Sequence, residues 1–181
     1  MKTSGRSGVG SSPGPLSAAE ITDRLRARFG EDLLETSDAL DQAAVRIAPE
    51  RYVELIRTLR DDADFACDFL DFVSAVDRGE EGLDVVVQLW STVRRHQVRV
   101  KVAAGAEEPR LPSIAEIYPG ANWHERETWE LFGIDFEGHP QLVKLLLPEQ
   151  FEGHPLRKDF ALTTRIAKPW PGEETTGEGP E

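Results

Sequence analysis

Cysteine is almost absent: Cys67 is the only one in 181 residues. One thiol cannot form an internal disulfide, and it cannot hold a four-cysteine zinc or iron–sulfur site within this chain. Its neighbours, Phe65-Ala66 and Asp68-Phe69, supply no base to lower a thiol pKa, so Cys67 reads as a small buried apolar residue. Positive charge is also scarce. Lys and Arg total 21 against 33 Asp and Glu, a formal net charge of −12. Binding a phosphate backbone draws on a surplus of Lys and Arg, so nucleic acid is excluded as the main partner. Long apolar runs are missing. The longest, Val85 to Val87 and Leu145 to Leu147, are strand-sized, against the roughly 20 residues a membrane-spanning helix needs. No Gly-x-Gly-x-x-Gly or P-loop occurs, so dinucleotide binding is not expected, and no nucleophile has a triad-like setting. Lys2 and Arg6 are followed by Gly, Ser and Pro rather than an apolar stretch, which does not read as a signal peptide. The expectation is a cytoplasmic chain, soluble or docked on something.

What is present suits one domain with long ends. Residues 1–16 are rich in Gly and Ser, and residues 161–181 carry Pro, Gly and Glu, so both read as flexible tails. Between them, residues 17–110 predict an α+β domain. Ser17 and Glu20 form a capping box at the start of a helix, with Ile21, Leu25 and Phe29 on one face and Gly30 at its stop. Short strands are expected at Leu33-Leu34 and over Ala43 to Ala48. Pro49 then opens a helix whose Tyr52, Leu55, Ile56 and Leu59 fall at i, i+3, i+4 and i+7. Residues 65–77 read as a helical turn running into a strand, and residues 78–82 as a hairpin loop. Leu83 to Trp90 predicts a strand buried on both faces. From His96 to Val102, Val98, Val100 and Val102 alternate with polar residues, as in a strand with one wet face. The order α-β-β-α-β-β-β implies helices packed on one mixed, mostly antiparallel sheet.

The character changes after Leu111. Pro112, Pro119, Pro140, Pro148 and Pro155 interrupt the chain repeatedly. Asn122 as N-cap with Glu125 as its capping-box partner predicts one short helix, ending at Phe132 before Gly133. Beyond it the chain reads as turns and extended pieces. Phe132, Ile134, Phe136, Leu142, Leu145 to Leu147, Phe151 and Leu156 carry too much apolar surface for a solvated tail. Residues 111–160 therefore predict a short helix plus an extended segment covered in part by a partner protein.

Several residues there could carry chemistry. His124 and Glu127 at i, i+3, with His139 and His154 folding back, could approach a metal. The plainer reading makes them surface or interface side chains. Glu125, Glu127 and Glu130 could include an acid–base pair. The plainer reading has Glu125 capping the helix, Arg126 pairing with Glu130, and Glu127 accepting a partner's Arg. Leu156-Arg157-Lys158-Asp159-Phe160 follows a Gly-His-Pro turn. It reads as a docking motif in which Arg157 grips a carboxylate of its own chain or of a partner.

The combination of motifs is specific. Ile117-Tyr-Pro-Gly-Ala-Asn-Trp123 leads into Glu125-Arg-Glu127-Thr-Trp129-Glu-Leu-Phe132-Gly133. Gly138-His139-Pro140 follows, and later Gly153-His154-Pro155-Leu156-Arg157-Lys158-Asp159. This closely resembles the C subunits of proton-pumping NADH:quinone oxidoreductases, the bacterial complex I. The chain departs where that family often has two basic residues after Gly-His-Pro-x-Leu, since Val143 and Lys144 stand here, and Phe151 replaces a frequent Trp. The resemblance implies a domain whose C-terminal segment wraps the D subunit, which holds the quinone site, with the B subunit close by. It implies that FMN and the iron–sulfur clusters lie in partner subunits and none in this chain. It implies a structural role in the peripheral arm, on the cytoplasmic side of the cell membrane. The partner-facing residues would be Glu125, Arg126, Glu127, Trp129, Phe132, Gly138, His139, Pro140, Lys144 and Gly153 to Asp159. The alternatives are the equivalent scaffold of a membrane-bound hydrogenase or deazaflavin-dependent dehydrogenase, and a freestanding metal-dependent enzyme.

Overall fold

The computed structural model describes residues 14–161. The remaining parts of both tails lie outside the described residues. Within the N-terminal stretch expected to be a tail, Leu16 is packed against the core, and its N–H donates to His96 Nδ1 at 3.3 Å. The Ser17–Glu20 capping box forms as expected and starts α1, Ala18–Phe29.

The strands β1 (Leu33–Ser37), β2 (Ala43–Ile47), β3 (Phe69–Asp77), β4 (Leu83–Trp90) and β5 (Gln97–Gly105) make one sheet in the order β1-β2-β5-β4-β3. Only β2 and β5 pair in parallel; β1–β2, β4–β5 and β3–β4 are antiparallel. α2, Tyr52–Asp61, follows a single turn that begins at Pro49. The expected α+β class and the mixed sheet are what the chain adopts.

The register explains the burial. Val45, Val85, Val87, Val98, Val100 and Val102 line one side and pack with Ile21, Leu25, Leu55, Ile56 and Leu59 from the helices. β4 is buried on both faces, but its second face is closed by polar groups rather than by another layer. Asp84 lies beneath Arg46 and Arg78, and Gln88 accepts from Arg99 at 2.9 Å. The β3–β4 turn depends on Gly82 at φ +88, where a Cβ would stand 2.8 Å from the Gly105 carbonyl oxygen. That contact and the left-handed backbone together leave room only for glycine.

Two short strands, β6 (Arg110–Pro112) and β7 (Asp135–Glu137), pair in parallel on either side of α3, Ala121–Phe132. α3 packs against β3, at the edge of the main sheet. The core continues through Leu111, Ile114, Ile117, Tyr118 and Ala121 to Phe132, Ile134 and Phe136. Phe132, Ile134 and Phe136, three of the residues too apolar for a solvated tail, find their cover here, which corrects the expectation that Phe132 faces a partner. Phe132 closes α3 and Ile134 follows it, and the β6–β7 pairing seats Phe136 beside Leu111 in the domain's own interior.

Candidate partner interface

α3 organises everything C-terminal to it. Its N-cap is Gly120, with no side-chain bond, so the Asn122–Glu125 capping box does not form. The preceding turn makes it unnecessary: Ala121 N–H reaches the Tyr118 carbonyl at 2.8 Å and Asn122 N–H reaches the Pro119 carbonyl at 3.3 Å. Glu125 instead points into the core and is 0% exposed. Its carboxylate accepts from Ser113 Oγ at 2.5 Å and from Ile114 N–H at 2.7 Å, tying α3 to the chain before it. Burial pushes its pKa up to about 7, against the pull of those two bonds. The Tyr52 hydroxyl is buried without a hydrogen-bond partner, and its pKa lies well above the usual value through burial, with Glu125's charge adding to the shift.

His139, from the first Gly-His-Pro, is sealed beside this group. Its Nδ1 accepts from Gln141 N–H at 3.0 Å, which leaves the proton on Nε2 to donate to the Asn122 carbonyl at 3.2 Å. Nε2 is 3.9 Å from Glu125 Oε2.

The expected Arg126–Glu130 pair is also absent, because both side chains bond to backbone that arrives later in the sequence. Arg126 donates to the carbonyls of Val143 at 2.9 Å and Lys144 at 3.0 Å, and its guanidinium lies over the Trp123 ring, 5.3 Å from the centroid. One turn on, Glu130 accepts the N–H groups of Leu145, Leu146 and Leu147 at 3.1, 2.8 and 2.6 Å. Burial raises the Glu130 pKa, but these three bonds and Lys144 outweigh it and bring the net value below the usual range. Lys144 Nζ closes the next loop by donating to the carbonyls of Pro148, Glu149 and Phe151 at 3.2, 2.9 and 2.9 Å.

The second Gly-His-Pro finishes the helix. The last four carbonyls of α3 have no intrahelical partner by geometry, and each is met here. Trp129 O takes Gly133 N–H at 2.8 Å, Glu130 O takes His154 Nδ1–H at 2.9 Å, Leu131 O takes Leu156 N–H at 3.1 Å, and Phe132 O takes Arg157 Nε–H at 2.5 Å. Arg157 therefore caps a helix end, where a cation also meets the negative end of the helix dipole, rather than gripping a carboxylate. Gly133 at φ +74 permits this closure: a Cβ there would stand 2.5 Å from His154 Nε2. Asp77 pins the far end, accepting Gly79 N–H and Lys158 N–H, each at 2.7 Å.

The expected residues thus divide. Glu125, Phe132 and His139 are turned into the protein; Arg126, Glu130, Lys144, His154 and Arg157 fasten the irregular segment 138–160, the strap, to α3. Trp129 is half-buried against the core, while Glu127, Pro140, Leu156, Lys158 and Asp159 are exposed. Glycines 138 and 153 hold left-handed turns, and Pro155 is half-buried. The metal grouping does not assemble. His139 and His154 bond eight residues apart along α3, at Asn122 and Glu130, about 12 Å by helical rise. Among the described residues no group of three potential ligands comes together. Glu130 is the anchor that sequence spacing missed; a buried glutamate facing a run of three leucine amides leaves no periodic signal.

The architecture is a two-layer α+β domain with a strap bonded along one helix by Arg126, Glu130, Lys144, His154 and Arg157. The chain belongs to the family described as "Respiratory-chain NADH dehydrogenase, 30 Kd subunit", which matches residues 45–166. It is 44% identical over 144 residues to the C subunit of NADH-quinone oxidoreductase from Roseiflexus castenholzii, covering 78% of this chain and 83% of that one. It is 41% identical over 149 residues to the C subunit from Salinispora tropica, covering 79% of this chain and 61% of that longer protein. Among solved structures it is similar to the trypsin-resistant fragment (1-134) of Nqo5, at 28% identity and TM-score 0.59, over 68% of this chain and 98% of that one. A chain of the archaeal membrane-bound sulfane sulfur reductase shares the fold, at TM-score 0.70 and 22% identity, over 80% and 86% of the two chains.

Proposed function

We propose that this chain is a structural and assembly subunit of the peripheral arm of NADH:quinone oxidoreductase. In this reading it carries no FMN, iron–sulfur cluster or quinone ligand. It braces the subunits that do, so that electrons pass from NADH to quinone through groups held at fixed distances, coupled to proton translocation. The D subunit is the chief partner of residues 111–160, with the B subunit nearby, on the cytoplasmic side of the membrane. Attachment to the membrane is indirect; no helix among the described residues is long and apolar enough to cross a bilayer.

The observation that carries this reading is the extent of the family match. Residues 45–166 include most of the sheet, all of α3 and the whole strap with both Gly-His-Pro turns. The site supports it: Arg126, Glu130, Lys144, His154 and Arg157 of this region fasten its own backbone. The test is purification of the tagged chain from gently solubilised membranes of its source. The D and B subunits, with FMN and NADH-oxidising activity, are expected in the eluate. A hydrogenase or a deazaflavin-linked electron-input subunit in their place would move the same scaffold to a related assembly. A monomer holding stoichiometric zinc or iron would overturn the reading.

A further inference from the structure

The strap is built inside out. Its hydrogen-bonding groups face α3, while Val143, Leu146 and Leu156 of the strap and Trp123 of α3 stand exposed. Trp123 is 60% exposed, Val143 43%, Leu146 60% and Leu156 52%. Their anchors run in order along one helix. Trp123 stacks on Arg126, which holds the Val143 carbonyl; Glu130 holds the Leu146 N–H; Leu131 O holds the Leu156 N–H. Trp123, Arg126 and Glu130 stand at i, i+3 and i+7, on one face of the helix, and Leu131 O is about 7.5 Å of axis beyond Arg126, so the anchors of these side chains form a row along α3. A solvated strap would turn the other way, with leucines inward and charges outward.

The charges are sorted as well. Arg126, Lys144 and Arg157, three of the four basic groups between Trp123 and Lys158, donate to the chain's own carbonyls. Glu127, Glu149 and Glu152 are exposed and form no ion pair among the described residues. At the far end Lys158 and Asp159 offset one another in sign. The row of apolar side chains is therefore set in a negative field, on a chain that already carries −12.

We propose that this row is a pre-shaped docking face whose occupant is a basic protein surface. That surface would offer apolar sockets for Trp123 and Leu146, ringed by Lys and Arg that meet Glu127, Glu149 and Glu152. The inference rests on the function proposed above and adds the sign and shape of the partner. The strap is fastened by its own chain before the partner arrives, so binding costs little ordering entropy.

The test measures binding of the purified full-length chain to the D subunit, and separately to the B subunit, from the same genome. Binding is read by biolayer interferometry over a range of salt. Wild type should bind one of them. Leu146→Asp and Trp123→Ala should each weaken binding about tenfold or more, as central anchors do. The triple change Glu127→Lys, Glu149→Lys, Glu152→Lys should weaken it comparably and flatten its salt dependence. Leu34→Asp, an exposed leucine on β1, should leave binding unchanged, and circular dichroism should show every variant folded. Wild-type binding that the row and charge variants leave untouched would overturn this inference while sparing the proposed function. No wild-type binding to either protein would overturn both. Self-association lost in Leu146→Asp, without binding to either protein, would make a second copy the occupant and overturn the proposal.

Discussion

Replacing Glu125 with Gln should flatten part of the protein's pH–stability profile. The carboxyl group is fully buried, and its pKa rises from an ordinary 4.5 to about 7. Below pH 4.5 the group is protonated in both folded and unfolded chains, and its titration has no effect on stability. Between pH 4.5 and 7 the unfolded chain releases a proton that the folded chain retains, so stability falls as pH rises. Above pH 7 the full penalty stands. A shift of this size corresponds to about 3 kcal/mol at about 1.4 kcal/mol per pH unit. A glutamine amide cannot ionise, yet it keeps the bonds: its carbonyl can accept from Ile114 N–H while its NH2 donates to Ser113 Oγ. Urea unfolding of both proteins at pH 4.5, 6 and 8, followed by circular dichroism, measures the effect. The stability of Glu125→Gln relative to wild type should climb by about 3 kcal/mol across that range. Titrating groups remote from Glu125 are common to both proteins and cancel in the difference. Parallel profiles would mean that Glu125 is solvated or paired as an anion, and the account of its burial would be wrong.

Glu130→Ala should free the amides of Leu145, Leu146 and Leu147. Hydrogen exchange at those three positions should accelerate while the sheet stays protected, with a loss of about 2 kcal/mol or more from removing a charged acceptor. Gly133→Ala should cost about 1–3 kcal/mol for its left-handed backbone, and more if the His154 ring cannot move aside; thermal unfolding of the variant measures it. Burial, with Asp68's charge adding, pushes the Cys67 thiol up to about 12. In the native chain at pH 8 a thiol reagent should therefore not react, and across a urea series the rate of labelling should follow the fraction unfolded.

The sheet and first two helices were legible because their signals are local and periodic. Val98, Val100 and Val102 alternate, Tyr52 to Leu59 repeat at helical spacing, and Ser17 with Glu20 cap within one turn. The strap's organisation was hidden because its bonds are neither local nor periodic. Helical spacing offers Arg126 and Glu130 to each other, yet each binds backbone 15 to 18 residues later. β6 and β7 are three residues each and meet across α3, a pairing that no alternation in so short a run announces. Arg126, Glu130, His154 and Arg157 of the motifs hold the chain's own backbone, and Leu146 between them is left facing out.

The completed end of α3 has a consequence for how the chain is made. Its final carbonyls wait for donors at His154, Leu156 and Arg157, up to 24 residues beyond Gly133. At ribosomal speeds of about 5–20 residues per second, that delay is roughly one to five seconds. During synthesis the nascent protein therefore exists for a time as a finished sheet bearing a frayed helix, and shortening it before residue 154 makes that interval permanent.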